Sequence, residues 1–160
     1  MNPLHNLHAL GLELPAAPRP QGWYVPMVRS GDLVFVSGQL PMRDGVVAVT
    51  GAVGDNVSMV SVVSLEAARE AARLCLLNIL AALEGNGVPL ASVRRVVKLT
   101  GYVQSHPDFH DQPKVLNAAS ELLTEIFGDA GKHARAALGV NALPLDATVE
   151  IEAIFEIASI

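Results

Sequence analysis

The chain has 160 residues, of which 51% are hydrophobic and only 17% charged, and its formal net charge is −5. The length suits one domain over 1–160, the apolar content excludes a disordered chain, and no apolar run is long enough to cross a membrane. The acidic balance opposes nucleic-acid binding, which needs a basic surface, and the single cysteine excludes an intrachain disulfide and fits a cytoplasmic protein.

The first predicted element lies in an N-terminal extension, residues 1–20, where leucines recur at helical spacing until prolines interrupt them. We predict a short helix there, packed on the outside of the domain. Two strands over 23–29 and 33–37 then form a hairpin, because segment 30–32 reads Ser-Gly-Asp, a typical turn. Residues 33–36 are all apolar, which predicts a strand covered on both faces, by helices on one side and by a neighbouring subunit on the other.

The middle of the chain alternates helices and strands after a loop over 45–61. A helix is predicted over 64–85, between a capping serine and a terminating glycine, and a strand follows over 93–103. Apolar residues of one parity are expected to face the core in this strand: Val93, Val97, Leu99 and Val103. A second long helix is predicted over 113–127, with a proline in its first turn and a glycine after it.

The last predicted elements are two strands, 133–140 and 149–157, interpreted as a pair around the connection 143–146. The whole order is strand, strand, helix, strand, helix, strand, strand. This order predicts an α+β domain of two layers, in which two long helices pack on one face of a mixed sheet. A charged fraction below the usual value of about a quarter indicates that another subunit covers part of the remaining surface.

The same two strands carry the candidate chemistry. In 149–157 apolar odd positions alternate with glutamates, and in 133–140 Arg135 shares its face with two small residues, Ala137 and Gly139. A guanidinium with space around it can hold a carboxylate through two parallel hydrogen bonds, which suggests a carboxylate pocket. Periodicity alone leaves the alternative open, that Arg135 is an ordinary exposed residue paired with a glutamate.

Other familiar sites find no support in the sequence. A phosphate-binding glycine loop after a strand and the HExxH and GxSxG motifs do not occur. His106, His110 and His133 match no recognised metal-ligand spacing, and we interpret them as exposed loop histidines. No metal site is therefore predicted.

Several short motifs recur in order from Tyr24 onwards. They are Phe35-Val36-Ser37-Gly38-Gln39-Leu40-Pro41, Asp108-Phe109 leading to Asn117, Ala134-Arg135, Leu143-Pro144, and Val149-Glu150-Ile151-Glu152-Ala153-Ile154. Each is weak alone, but the ordered set resembles the RidA/YjgF family, historically called endoribonuclease L-PSP. The resemblance implies a chorismate-mutase-like fold, a homotrimer whose sheets pack around a central axis, and a ligand cleft at each subunit boundary.

The resemblance also implies a chemistry. Family members with deaminase activity hydrolyse reactive enamines or imines formed from amino acids, such as 2-aminoacrylate, to 2-keto acids and ammonia, and they need no cofactor. Arg135 would then hold the carboxylate of the small-molecule substrate, and Glu150 would position or polarise the attacking water. Glu152, on the same face as Glu150, is interpreted as a structural or interface charge.

The remaining candidates would line the cleft. Tyr24 and Ser37 would bound the ligand and donate hydrogen bonds, or else serve packing and turn formation. Gly38 would allow close approach of the backbone to a ligand. Asn117 would either reach the site or brace a loop, and Ala137, where many deaminases have cysteine, would contact the ligand through its backbone.

Departures from the family pattern place the chain in a divergent branch. They are Ala137, Trp23 in place of the commoner proline before Tyr24, the N-terminal extension and the longer loop over 45–61. They leave the physiological substrate open. They also leave three main functions in competition: enamine or imine hydrolysis, non-catalytic binding or sensing of small carboxylates, and the endoribonuclease activity of the older name, which the acidic charge opposes.

Overall fold

A computed structural model describes residues 2–17, 22–54 and 62–158. The prolines at 18 and 20 and the 55–61 part of the predicted loop lie outside the described residues. The helices are α1 (Pro3–Ala9), α2 (Leu65–Gly85) and α3 (Gln112–Phe127), and the strands are β1 (Met27–Ser30), β2 (Leu33–Gln39), β3 (Met42–Arg43), β4 (Val46–Val47), β5 (Val93–Gln104), β6 (Ala134–Val140) and β7 (Val149–Ile157).

Five strands form one mixed sheet in the order β1-β2-β7-β5-β6, and β3 and β4 make a separate small hairpin. Neighbouring strands run antiparallel except β5 and β6, which are parallel. The buried sides of α2 and α3 and the odd-numbered residues of β7 belong to one hydrophobic core. The predicted α+β fold, with two long helices on one face of a mixed sheet, is confirmed.

The start of α2 and the end of α3 show the local chemistry that the sequence predicts. The Ser64 hydroxyl accepts a hydrogen bond of 3.2 Å from the Ala67 backbone N–H, which caps one free donor of α2. After α3 the chain turns at Gly128, whose φ of 61° suits glycine. In the described part of the chain, no helix combines the length and the apolar character needed to cross a bilayer.

The N-terminal helix is tied to the end of α3. Leu7 is completely buried in the hydrophobic core, and the Asn6 side-chain amide donates a 2.8 Å hydrogen bond to the Ile126 carbonyl. Burial of one leucine contributes roughly 2 kcal/mol. The N-terminal helix therefore contributes Leu7 to the core of the sheet and helices, with Leu4 packed against it.

Two strand predictions were wrong in detail. The first strand begins at Met27 rather than at Trp23, which is fully exposed. In β5 the pairing with β7 shifts register at two points, so Val96 is completely buried while Val97 is only half-buried. A β-bulge reverses the alternation of side chains, which a single parity along the strand does not anticipate.

The prediction that the last two strands pair with each other was also wrong. β5 lies between β6 and β7 and forms hydrogen bonds with both. The connecting segment crosses the end of β5, where the Gln104 backbone N–H donates to the Thr148 carbonyl and its side-chain amide donates to Asp146 Oδ1. This crossing places β6 at the edge of the sheet.

The sheet face that points away from the helices, called here the open sheet face, carries large apolar side chains. Val34 and Val36 of β2 are buried against the helices, whereas Phe35 is 42% exposed. Val28, Leu33 and Leu138 are similarly exposed on the open sheet face. Within the described residues β2 is therefore covered on one face, and its second cover remains a prediction that fits an interface between chains.

The single cysteine is expected to be unreactive in the folded protein. Cys75 is completely buried in α2, and burial, with a smaller effect of the Glu150 charge, raises the pKa of its thiol well above the ordinary value. The reactive species is the thiolate. Ellman's reagent should therefore find no accessible thiol in the native protein and one per chain after denaturation; a Thr124→Cys variant, with a thiol on an exposed helix position, is the positive control. Rapid native labelling of Cys75 would contradict the buried placement.

Candidate functional site

Arg135 extends from the edge strand toward the middle of α3. Its partner in the β5 register is Leu99, which is completely buried, so both side chains lie on the helix side of the sheet. The Arg135 side chain is nevertheless exposed, because β6 is the last strand. Its Nη1 atom donates two hydrogen bonds, to Asn117 Oδ1 at 2.9 Å and to Ser120 Oγ at 3.0 Å.

The rest of the Arg135 guanidinium is available. Among the described residues, none accepts a hydrogen bond from Nε or Nη2, and no aspartate or glutamate forms an ion pair with Arg135. The alternative interpretation, an arginine paired with a surface glutamate, therefore does not describe this structure. The Nε–Nη2 edge has the spacing that binds a carboxylate through two parallel hydrogen bonds.

His133 and Ser120 extend the hydrogen bonds around Arg135. Ser120 Oγ lies 3.0 Å from His133 Nε2, and His133 Nδ1 lies 2.7 Å from the Gly131 carbonyl oxygen. His133 lies in the loop before β6, as predicted, but it is half-buried, so the prediction that it is exposed was wrong. The arrangement links a histidine, a serine, an arginine and an asparagine side chain in one connected group.

Glu150 lies on the other side of the sheet. It alternates with Val149 and Ile151, which are completely buried against the helices, so its carboxylate is on the open sheet face. It contacts Gly38 so closely that a Cβ atom there would overlap with Glu150 Oε1. Burial, and then the negative charge of Glu152, raise the pKa of the Glu150 carboxyl. Glu150 therefore holds a proton to a higher pH than an ordinary glutamate.

Tyr24 and Ser37 lie close to Gly38. Tyr24 and Gly38 both line a cleft of about 630 Å³, which Asn78 of α2 also lines. The Ser37 hydroxyl donates a 2.7 Å hydrogen bond to the Val25 carbonyl, which fastens the segment carrying Tyr24 to β2. Ser37 thus has at least the turn-forming role that the sequence left open for it.

The other two candidates have local partners. The Ala137 side chain lies opposite Gly101 on the helix side and packs against the core. Its backbone lies in the edge strand of the sheet. Glu152 is exposed, and the Tyr102 hydroxyl lies 3.4 Å from its Oε1 atom. Burial and then the charge of Glu152 raise the pKa of the Tyr102 phenol.

The candidate residues thus form two groups. The arginine half-site comprises Asn117, Ser120, His133, Arg135 and Ala137, and the glutamate half-site comprises Tyr24, Ser37, Gly38 and Glu150. Arg135 lies on the helix side of the sheet, whereas Glu150 lies on the open sheet face. A single chain therefore does not bring Arg135 and Glu150 together around one small ligand.

Ser120 and His133 are the residues that the sequence interpretation missed. Ser120 follows Asn117 by three positions, so both lie on one face of α3. His133 has the same parity as Arg135 just before β6. These signals indicate a shared face within each element, but the contact between α3 and β6 becomes evident only from the packing.

The comparisons with known proteins cover nearly all of the chain. Residues 14–157 match the family model for endoribonuclease L-PSP. The chain belongs to the RidA/YjgF family. The match spans both half-sites, from the Tyr24 segment to the end of β7, and omits the first 13 residues.

Similar proteins carry different names. Protein TCP17 of Trypanosoma cruzi is 40% identical over 153 residues, which are 95% of this chain and 92% of that protein. A 2-iminobutanoate/2-iminopropanoate deaminase of Salmonella typhimurium is 35% identical over 139 residues, 86% of this chain and 90% of the other. A crystal structure of an Agrobacterium tumefaciens protein of unknown function is 45% identical, with a TM-score of 0.83 and coverage of 96% and 90%.

Proposed function

We propose that this protein hydrolyses reactive enamines or imines derived from amino acids, in clefts between the subunits of a homotrimer. The observation that carries the proposal is the Nε–Nη2 edge of Arg135, which bonds to none of the described residues, while Asn117 and Ser120 hold Nη1 on the other side. The relative named as an imine deaminase acts on 2-iminobutanoate and 2-iminopropanoate. Both are small carboxylates, which suit this edge.

The separation of the half-sites supports a cleft between subunits. Arg135 lies at the free edge of the sheet, and Glu150 lies on the open sheet face. If the exposed apolar residues of that face, such as Phe35 and Leu138, pack against neighbouring chains, the glutamate half-site of one subunit can meet the arginine half-site of the next. Light scattering should then give about three times the 16.8 kDa mass of the chain.

The reaction needs a water molecule and a proton carrier. In the proposed hydrolysis, the oxygen of water adds to the imine carbon and the imine nitrogen takes up a proton, which gives a carbinolamine. Expulsion of ammonia from this intermediate then leaves a 2-keto acid. Glu150 is suited to transfer these protons because its raised pKa brings it closer to neutral pH, and no group other than the side chains, water and substrate takes part.

A direct assay distinguishes this proposal from its alternatives. An amino-acid oxidase releases imine from an amino acid, semicarbazide traps the imine, and active protein should lower the yield of the trapped product. Thermal stabilisation by 2-oxobutanoate without any turnover would favour a binding or sensing role instead. Cleavage of RNA by protein free of contaminating nuclease would favour the endoribonuclease activity that the net charge of −5 opposes.

A further inference from the structure

We propose that Ser120 and His133 are positioning residues, which hold Arg135 so that its Nε–Nη2 edge faces the ligand. This inference rests on the carboxylate-binding role proposed above for Arg135. Neither residue belongs to the motifs by which the family was recognised, and the rest of the proposed mechanism does not use them. Their role follows from the donors and acceptors that meet between α3 and β6.

The direction of each hydrogen bond follows from the chemistry of its partners. The Gly131 carbonyl can only accept, so His133 Nδ1 carries the hydrogen across their 2.7 Å separation. In a neutral imidazole, Nε2 is then an acceptor and takes the hydroxyl hydrogen of Ser120 at 3.0 Å. The lone pairs of Ser120 Oγ are thereby left to accept from Arg135 Nη1.

A His133 with a hydrogen on both ring nitrogens would disturb these hydrogen bonds. If His133 carried a hydrogen on Nε2 as well, the imidazolium and the guanidinium would both donate to the one Ser120 oxygen. The serine hydrogen would lose its acceptor, and two positive charges would converge on one hydroxyl group. A neutral His133 with the hydrogen on Nδ1 is therefore the form that supports Arg135.

The result is a fixed orientation of the guanidinium. Asn117 and Ser120, three residues apart on α3, each accept one hydrogen from Nη1. Because both Nη1 hydrogens are used inside the subunit, a carboxylate can form two parallel bonds only with Nε and Nη2. Ordering a mobile side chain on binding costs free energy. Because Asn117 and Ser120 already hold the guanidinium in place, this cost is smaller when the ligand binds.

The kinetic test uses Ser120→Ala, which removes the central hydroxyl and leaves a good helix former. KM for the imine should rise about tenfold, the size expected for one lost hydrogen bond to a charged group, while kcat changes little because the carboxylate stays bound throughout the reaction. Ser120→Thr keeps a hydroxyl on the same carbon and should restore KM. Thr124→Ala is the matched control, because the Thr124 hydroxyl donates to the Ser120 carbonyl one turn earlier and bonds to no other described residue.

Two further measurements separate the possible failures. Nitrogen-15 NMR of the ligand-free protein should show His133 with its hydrogen on Nδ1, with the signal assigned by its loss in His133→Gln. Binding of 2-oxobutanoate should weaken in Ser120→Ala by the same factor as KM rises. An Nε2-protonated His133, or an unchanged KM and binding in Ser120→Ala while Arg135→Ala loses both, would overturn the positioning role and leave the proposed function intact. If the wild-type protein neither turns over imine nor binds 2-oxobutanoate, the proposed function and this inference fail together.

Discussion

Replacement of Arg135 by alanine should abolish most ligand binding and activity while the protein stays folded. Each charge-assisted hydrogen bond contributes about 1.5–3 kcal/mol, so loss of a two-bond carboxylate contact should weaken binding by about a hundredfold or more. Arg135 is exposed and forms no ion pair among the described residues, so the free energy of unfolding should change by only about 1 kcal/mol. Titration calorimetry with 2-oxobutanoate and the imine assay measure the two losses.

Two further variants make this result specific to the planar guanidinium. Arg135→Lys keeps the positive charge but cannot bind a carboxylate through two parallel hydrogen bonds. Its affinity for 2-oxobutanoate should lie between those of the wild type and Arg135→Ala. Arg73→Ala removes an arginine of α2 that pairs at 3.9 Å with Glu70, one turn earlier on the helix, and should leave binding unchanged. Wild-type affinity in Arg135→Ala would remove the basis of the proposed function.

Replacement of Glu150 by glutamine should lower kcat by about a hundredfold, the usual contribution of a positioned proton-transfer group. Glutamine keeps the shape beside Gly38, so ligand binding through Arg135 should persist. Imine-trapping kinetics under saturating substrate measure the loss. Glu156→Gln is a suitable control, since Glu156 lies on the same strand face as Glu150 but far from Gly38 along the strand. A variant with full kcat would assign the proton transfer to another group.

The same substitution should make the protein more stable at neutral pH. Burial and the charge of Glu152 raise the pKa of Glu150 in the folded state, so its ionisation disfavours folding once the pH rises above the unfolded value. Glutamine does not ionise, so the variant does not lose this part of the free energy of unfolding. The gain in melting temperature should therefore be full above the raised pKa and disappear as the pH falls below about 4, where the carboxyl is protonated in both states. Equal melting temperatures of the two proteins at all pH values would contradict the raised pKa.

The sequence predicted the elements that local patterns control. The β7 strand and the two long helices follow from alternation, capping residues and helical spacing, and the structure has them within a residue or two of the expected bounds. The errors arise where the pairing between strands determines the structure. The bulges of β5 and the insertion of β5 between β6 and β7 depend on residues far apart in the chain, about which local periodicity carries no information.

The candidate site was predictable only in part for the same reason. Parity along β6 groups Arg135 with small neighbours, but it does not say which side of the sheet they face. That side is set by the parallel register with β5, which places Arg135 opposite the buried Leu99. The contacts of Ser120 and His133 with Arg135 likewise depend on how α3 packs against the sheet edge. Recognition of the family suggested Asn117, whereas a serine and a histidine outside its motifs gave no such signal.

The meeting of two half-sites from different chains can be tested by mixing two inactive variants. Arg135→Ala and Glu150→Gln should each be inactive alone, because every cleft lacks one partner. When the two proteins are unfolded together and refolded in equal amounts, about a quarter of the clefts should combine an intact arginine with an intact glutamate. Activity should then return to about a quarter of that of refolded wild-type protein. A mixture that stays inactive, although mass measurements show that mixed oligomers formed, would contradict a site shared between subunits.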